Sequence, residues 1–255
     1  MEHVHTIARQ VLVEAYRHRL FWTALALAVG GLFIGWFFQS LAIAESEQIH
    51  SAVVASLSRV GAVVLLTLYV VSSISRDFND RMVQIIFSLP VTRMEYFFGK
   101  LLGFSIVASL VALLFGLSLV FFGPKSGIFA WTISLACELV LVSAVAMLFA
   151  LSLTQISVAV LATMAFYVLA RAIRAMVLMA GSETGLISSW SQKVIELSVN
   201  MLAYMLPRLS RYTNTEWVVY QPPEFTDMLY VILQTAFFVS LISAAALIDL
   251  YRKNI

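Results

Sequence analysis

Four charged residues interrupt stretches of this chain that are otherwise apolar: Arg59, Glu138, Arg171 and Arg174. A charge at the centre of a bilayer costs roughly 2.5–3.5 kcal/mol on insertion scales, so such residues need partners or water. Counting depth at about 1.5 Å per residue puts Glu138 about mid-membrane and the three arginines in the outer halves of their segments. If the segments that hold Glu138 and Arg171 are antiparallel neighbours, the carboxylate comes within reach of an arginine. Two roles fit. One is a polar patch on a substrate path. The other is a buried structural ion pair, with the arginines snorkelling outward. Three bases against one acid leave positive charge over, which suits an anionic substrate or lipid headgroups.

Other chemistry is sparse. No G-x-x-x-x-G-K-[ST] phosphate loop is present, since Gly99-Lys100 lacks the upstream glycine and the following hydroxyl. There is no H-E-x-x-H, no G-x-S-x-G serine, and only one cysteine, Cys137, so neither a disulfide nor a thiolate cluster can form. His3, His5, His18 and His50 all lie outside the apolar segments. Among ten methionines, the pairs Met176/Met179 and Met201/Met205 have helical spacing, which serves packing more often than metal ligation. The expectation is a chain with no catalytic site, no cofactor and no metal of its own, whose energy comes from a partner or a gradient. The net charge of +2 gives no nucleic-acid surface.

The elements that position these residues follow from composition. Of 255 residues, 61% are apolar and 12% charged, with mean hydropathy +0.93. Soluble domains carry about 25% charged residues, so the excess apolar surface must face lipid. A bilayer core of about 30 Å needs roughly 20 apolar residues in a helix. Six stretches qualify: 20–44, 52–75, 101–122, 127–153, 156–181 and 228–248, with a tight turn near Thr154 and Gln155. The first is about twice the length of a signal-peptide core, so Ala42-Ile43-Ala44 is not read as a cleavage site. Lys and Arg are more numerous in the segments 1–19, 76–100 and the C-terminus than between the other spans, which puts both termini in the cytoplasm. The expected fold is a single all-α integral membrane domain.

The connecting pieces have patterns of their own. In 1–19, Val4, Ile7, Ala8, Val11, Leu12 and Ala15 recur at helical spacing, as in an amphipathic helix lying on the inner membrane surface or in a plain extension of the first span. In the 76–100 loop, Asp77, Asp80, Arg81 and Gln84 give a polar side. Phe78, Met82, Ile85, Ile86 and Leu89 give an apolar one, and Pro90 stops the helix. Such a helix, tied to spans two and three, either docks in a groove of a soluble partner or merely connects. In the outer loop 182–227, Ile187, Trp190, Val194, Leu197, Met201 and Met205 form a stripe that Pro207 ends. Tyr212, Trp217 and Tyr220 suit an interfacial belt. Gly31/Gly35 and Gly99/Gly103 have the spacing that lets helices approach closely.

The run Ile74 to Arg93, with Ser88-Leu89-Pro90-Val91-Thr92-Arg93 and then Gly99-Lys100, resembles the type-2 ABC (ATP-binding cassette) exporter permeases. Met205-Leu206-Pro207-Arg208-Leu209-Ser210 is a second, weaker likeness to the Leu-Pro-Asn-Leu of their outer loop. Many members carry Gly-Thr where this chain has Arg81-Met82. The resemblance implies a half-transporter permease of a bacterial-type inner membrane. Two copies pair, and each binds a separate ATPase subunit that uses ATP and Mg. The 77–89 helix becomes the coupling helix, with Arg76, Asp77, Phe78, Asp80, Arg81, Met82, Gln84, Ile85, Leu89, Pro90 and Arg93 as its docking residues. Two alternatives stand. One is a non-transporting mechanical unit acting through 182–227 on an extracytoplasmic partner, including copper-site assembly. The other is a membrane-embedded lipid enzyme.

Overall fold

The computed structural model describes residues 2–41, 46–79, 92–120, 125–153, 155–181, 190–219 and 223–252. Among these the chain is helical without strands. The helices are α1 (Glu2–Arg17), α2 (Leu20–Leu41), α3 (Ser46–Asn79), α4 (Arg93–Leu119), α5 (Lys125–Ser152), α6 (Ile156–Gly181), α7 (Trp190–Met205), α8 (Glu216–Val219) and α9 (Phe225–Arg252). A 3-10 turn, Leu209–Arg211, lies between α7 and α8. Six of the helices (α2 to α6 and α9) are long and apolar enough to cross a membrane, the architecture of a multi-pass membrane protein.

Helix α5 is the mast. It packs on α3, α4, α6, α8 and α9, and its apolar stretch is the most deeply buried of the six. The helices around it keep large apolar side chains outward, such as Trp36, Leu117, Leu161 and Phe237. That outward face is stable only against an apolar solvent.

Helix α1 lays its apolar side, Ile7, Ala8, Val11 and Ala15, across the start of α4. Contact is possible because α4 offers glycines there. A Cβ on Gly99 would stand 2.8 Å from Ile7 Cβ, and one on Gly103 2.6 Å from Val11 Cβ. Tyr69 of α3 locks the same seam by donating from its hydroxyl to the Val11 carbonyl at 2.8 Å. At the corner between α1 and α2, Arg19 takes a left-handed φ of 55°, which stops α1 and turns the chain into α2.

The sequence reading needs correction at two helix starts. Helix α4 begins at Arg93, eight residues before the expected span, so Gly99 and Lys100 are helical and not loop. Thr92 fixes this start through a capping box. Its hydroxyl accepts from Glu95 N at 3.2 Å, and its own N–H donates to Glu95 Oε2 at 2.9 Å. Helix α3 likewise extends beyond 52–75 at both ends. The break between the fourth and fifth spans falls between Ser152 and Ile156, and Thr154 of the expected turn lies outside the described residues.

Candidate functional site

Among the described residues, two polar networks are buried in this apolar bundle, one toward each end. The first lies at the end that holds α1 and the close of α9, the termini end. Glu14 of α1 receives Arg76 Nη2 at 2.6 Å and the Ser73 hydroxyl at 3.0 Å, both from α3. Lys100 of α4 is buried, with its ammonium 2.7 Å from Asp77 Oδ2 and 3.8 Å from Glu14 Oε2. Tyr96 donates to the same Asp77 oxygen at 2.8 Å. Arg76 also contacts His18. Two acids and two bases cancel, which is what allows a lysine to be buried here at all. The result is a clamp that ties α1, α3 and α4 together immediately on either side of residues 80–91. Arg93 adds a tie to the last helix, donating to the Leu250 carbonyl at 2.8 Å.

These contacts bear on the residues expected to dock an ATPase. Arg76, Asp77 and Arg93 have partners inside the chain, and Phe78 is half-buried against the core. Asp80, Arg81, Met82, Gln84, Ile85, Leu89 and Pro90 lie outside the described residues.

The second network surrounds Glu138, which is 0% exposed. Its Oε1 accepts from the Tyr167 hydroxyl at 2.9 Å and from Arg171 Nη1 at 3.0 Å. Its Oε2 accepts from the Thr213 hydroxyl at 2.7 Å. Thr213 belongs to the segment 206–219, which folds back into the bundle and buries Leu206, Leu209, Tyr212, Trp217 and Val218. Backbone brought into an apolar layer must find donors and acceptors within the protein. The charged residues supply them. Arg171 donates to the carbonyls of Leu209 at 3.1 Å and Tyr212 at 3.3 Å, and Arg59 to that of Thr213 at 3.3 Å. The Thr213 N–H donates to Ser134 Oγ at 2.9 Å. Thr213 has φ 44°, a conformation a β-branched residue rarely adopts. Bonds at its N–H, carbonyl and hydroxyl hold it there. Tyr212 closes the plug, its hydroxyl donating to the Val231 carbonyl at 3.2 Å and 2.9 Å from Thr235 Oγ1; burial pushes its phenol well above the ordinary tyrosine range.

Of the four intramembrane charges, the fold thus brings Arg59, Glu138 and Arg171 together and leaves Arg174 out. Arg174 is exposed one helical turn further on. Tyr212 and Trp217, expected in an interfacial belt, are buried instead, while Tyr220 lies outside the described residues. The Leu197/Met201/Met205 side of α7 does face outward. Met176, Met179, Met201 and Met205 are all exposed on the bundle surface, and no cluster of metal-ligating His, Cys, Asp or Glu forms among the described residues. Sequence reasoning missed Ser134, Tyr167 and Thr213 in the second network, and Glu14, Tyr96 and the buried state of Lys100 in the first. No protein-family model and no curated protein matches this chain.

Proposed function

We propose that this chain is the membrane-embedded permease half of an ATP-driven ABC exporter, working as a pair of copies with a separate ATPase subunit on each. What supports the reading is the clamp of Glu14, Arg76, Asp77 and Lys100. The sequence of 77–89 has the pattern of a docking helix, and the helices that flank it are joined by a compact, charge-balanced lock. A push on that segment is delivered to α1, α3 and α4 as one body. On this reading the termini end is cytoplasmic, α1 lies along the inner surface of a bacterial-type plasma membrane, and ATP and Mg bind only to the partner. A second copy suits α2. Its Gly30 and Gly31 meet nothing within 4 Å, and Trp22, Phe33, Trp36 and Phe37 are exposed beside them.

The test is co-purification of the detergent-solubilised chain with a candidate ABC ATPase, wild type against Phe78→Ala/Arg81→Ala/Ile85→Ala. Retention of the ATPase by wild type and its loss from a variant that still elutes as a folded protein supports the reading. A stable protein that retains no ATPase refutes it.

The second network favours a further reading, a mechanical unit that transports nothing. The 206–219 segment is keyed to α3, α5 and α6 through Arg59, Glu138 and Arg171, so motion of the spans must move the surface beside it. An extracytoplasmic partner seated on 182–227, a metal-site assembly factor included, would feel that motion. ATPase activity that responds to such a partner without substrate flux separates the two. A lipid enzyme has the least support, since the hydroxyl–carboxylate pair in each network, Ser73–Glu14 and Thr213–Glu138, has its acid held in an ion pair by Arg76 or Arg171.

A further inference from the structure

Beyond the Glu138 network, a cavity of about 280 Å³ opens between α6 and the segment running from α7 into the 3-10 turn. Three arginines converge on it: Arg174, Arg208 and Arg211, with Asn200 and Ser210 beside them. Among the described residues, none of the three arginines forms an ion pair. Arg211 stacks on the Tyr230 ring at 4.5 Å, which fixes its plane without neutralising it. The Ser210 hydroxyl is buried and has no hydrogen-bond partner. Solvated surface arginines ordinarily point apart, and a buried hydroxyl ordinarily finds a partner. Here three cations and one orphaned donor share a single small cavity, whose wall also carries the apolar side chains of Val177 and Leu178 of α6.

We infer that this cavity binds the anionic group of an amphiphile, a phosphate or carboxylate carried on an alkyl chain. The guanidinium fork matches such an oxyanion bidentately. The Ser210 hydroxyl supplies a further donor, and Asn200 can accept from or donate to a headgroup hydroxyl. The volume lies below the roughly 300–1,000 Å³ of sites that enclose a drug-sized ligand, so it takes the head and not the tail. The tail leaves over Leu178, which is 65% exposed on the bundle surface, where the six-helix architecture puts lipid. The site is separate from the Glu138 network. Arg171, one turn before Arg174, is committed to Glu138 and the loop carbonyls.

The experiment measures ligand binding to the full-length protein in uncharged detergent by native mass spectrometry and thermal shift. The probes are short-chain phosphatidic acid, short-chain phosphatidylcholine and inorganic phosphate. Phosphatidic acid is expected to bind at least about tenfold more tightly than either of the others, one decade being about 1.4 kcal/mol. Arg174→Gln/Arg208→Gln, which alters two exposed side chains, is expected to abolish that preference. Ser210→Val, which removes the unpartnered hydroxyl and leaves every charge in place, is expected to weaken phosphatidic acid binding as well. Equal binding of phosphatidic acid by wild type and both variants overturns the inference. Phosphatidylcholine binding as tightly as phosphatidic acid overturns the charge recognition, and inorganic phosphate doing so overturns the amphiphile. An ATPase partner plays no part in the measurement, so its outcome is independent of the exporter reading.

Discussion

Removing the carboxylate of Glu138 by Glu138→Ala should release the 206–219 segment from the bundle. The carboxylate is fully buried and accepts three hydrogen bonds, from Tyr167, Arg171 and Thr213. Breaking a buried ion pair by deleting one partner costs about 3–5 kcal/mol. Arg171 keeps the Leu209 and Tyr212 carbonyls and its side chain is 23% exposed, which argues for the lower edge of that range. Hydrogen bonds measured within membrane bundles average about 0.6 kcal/mol, so three of them give about 2 kcal/mol as a floor. At about 1.4 kcal/mol per decade, the ratio of docked to undocked segment falls by between about thirtyfold and about 140-fold. Trypsin reads this ratio, because Arg208 and Arg211 lie in the segment and cleavage tracks the population that opens. The cleavage rate should rise by the same factor, with the midpoint of unfolding in a mixed anionic detergent falling in parallel. Glu138→Gln keeps an acceptor and should cost less. Arg171→Met should cost at least as much as Glu138→Ala, since it leaves a buried anion and takes the donor from two carbonyls. Unchanged cleavage in both Glu138→Ala and Arg171→Met would refute the claim that these charges hold the loop.

Further substitutions probe the α1–α4 seam and the clamp beside it. Gly103→Val places methyls where a Cβ alone already stands 2.6 Å from Val11, so α1 must lift from α4. Overpacking costs about 1–3 kcal/mol, read as faster proteolysis within α1, while Gly31→Ala, where a Cβ meets nothing within 4 Å in the same copy, should leave proteolysis within α1 unchanged. Lys100→Met removes the cation shared by Asp77 and Glu14, leaves both acids short of a partner and should destabilise by about 3 kcal/mol. In the same detergent unfolding assay Lys100→Met/Asp77→Leu should recover much of that loss, and failure to recover any of it would show that the clamp is not a pair.

The six spans were legible because hydropathy over about 20 residues is a signal that tertiary contacts barely alter. The Glu138–Arg171 pair was legible for a related reason: helical rise fixes depth, and a short turn at 154–155 forces α5 and α6 to be antiparallel neighbours. The start of α4 was also written in the chain, as Thr92-x-x-Glu95, but hydropathy ignores a cap, so Lys100 was read as the end of a loop when it is the buried centre of the clamp. The return of 206–219 was not legible. The segment has no apolar period, and its stability comes from bonds to side chains about 40 to 155 residues earlier in the chain. Tyr212 and Trp217 illustrate the ambiguity, since an aromatic residue near a span end suits an interfacial belt and a buried plug equally well.

The distribution of charge then has a single physical cause. An all-helical bundle in lipid satisfies its own backbone and needs no buried ions. Among the described residues this one buries two networks, one where non-helical chain enters the bundle and one where α1 is fixed to α3 and α4. Arg59 and Arg76 both stand on α3, separated by about 26 Å at 1.5 Å per residue, close to the thickness of an apolar core. One uninterrupted helix therefore carries a residue of the loop plug at one edge of that layer and a residue of the α1 clamp at the other. A tilt of α3 driven at the clamp displaces Arg59 relative to the Thr213 carbonyl, and a bond already at 3.3 Å is the first to part. The Thr67 hydroxyl of α3 is buried without a partner between the two networks, so no side-chain bond from it resists such a tilt. The two polar networks are joined by one continuous helix, α3, which packs along α5.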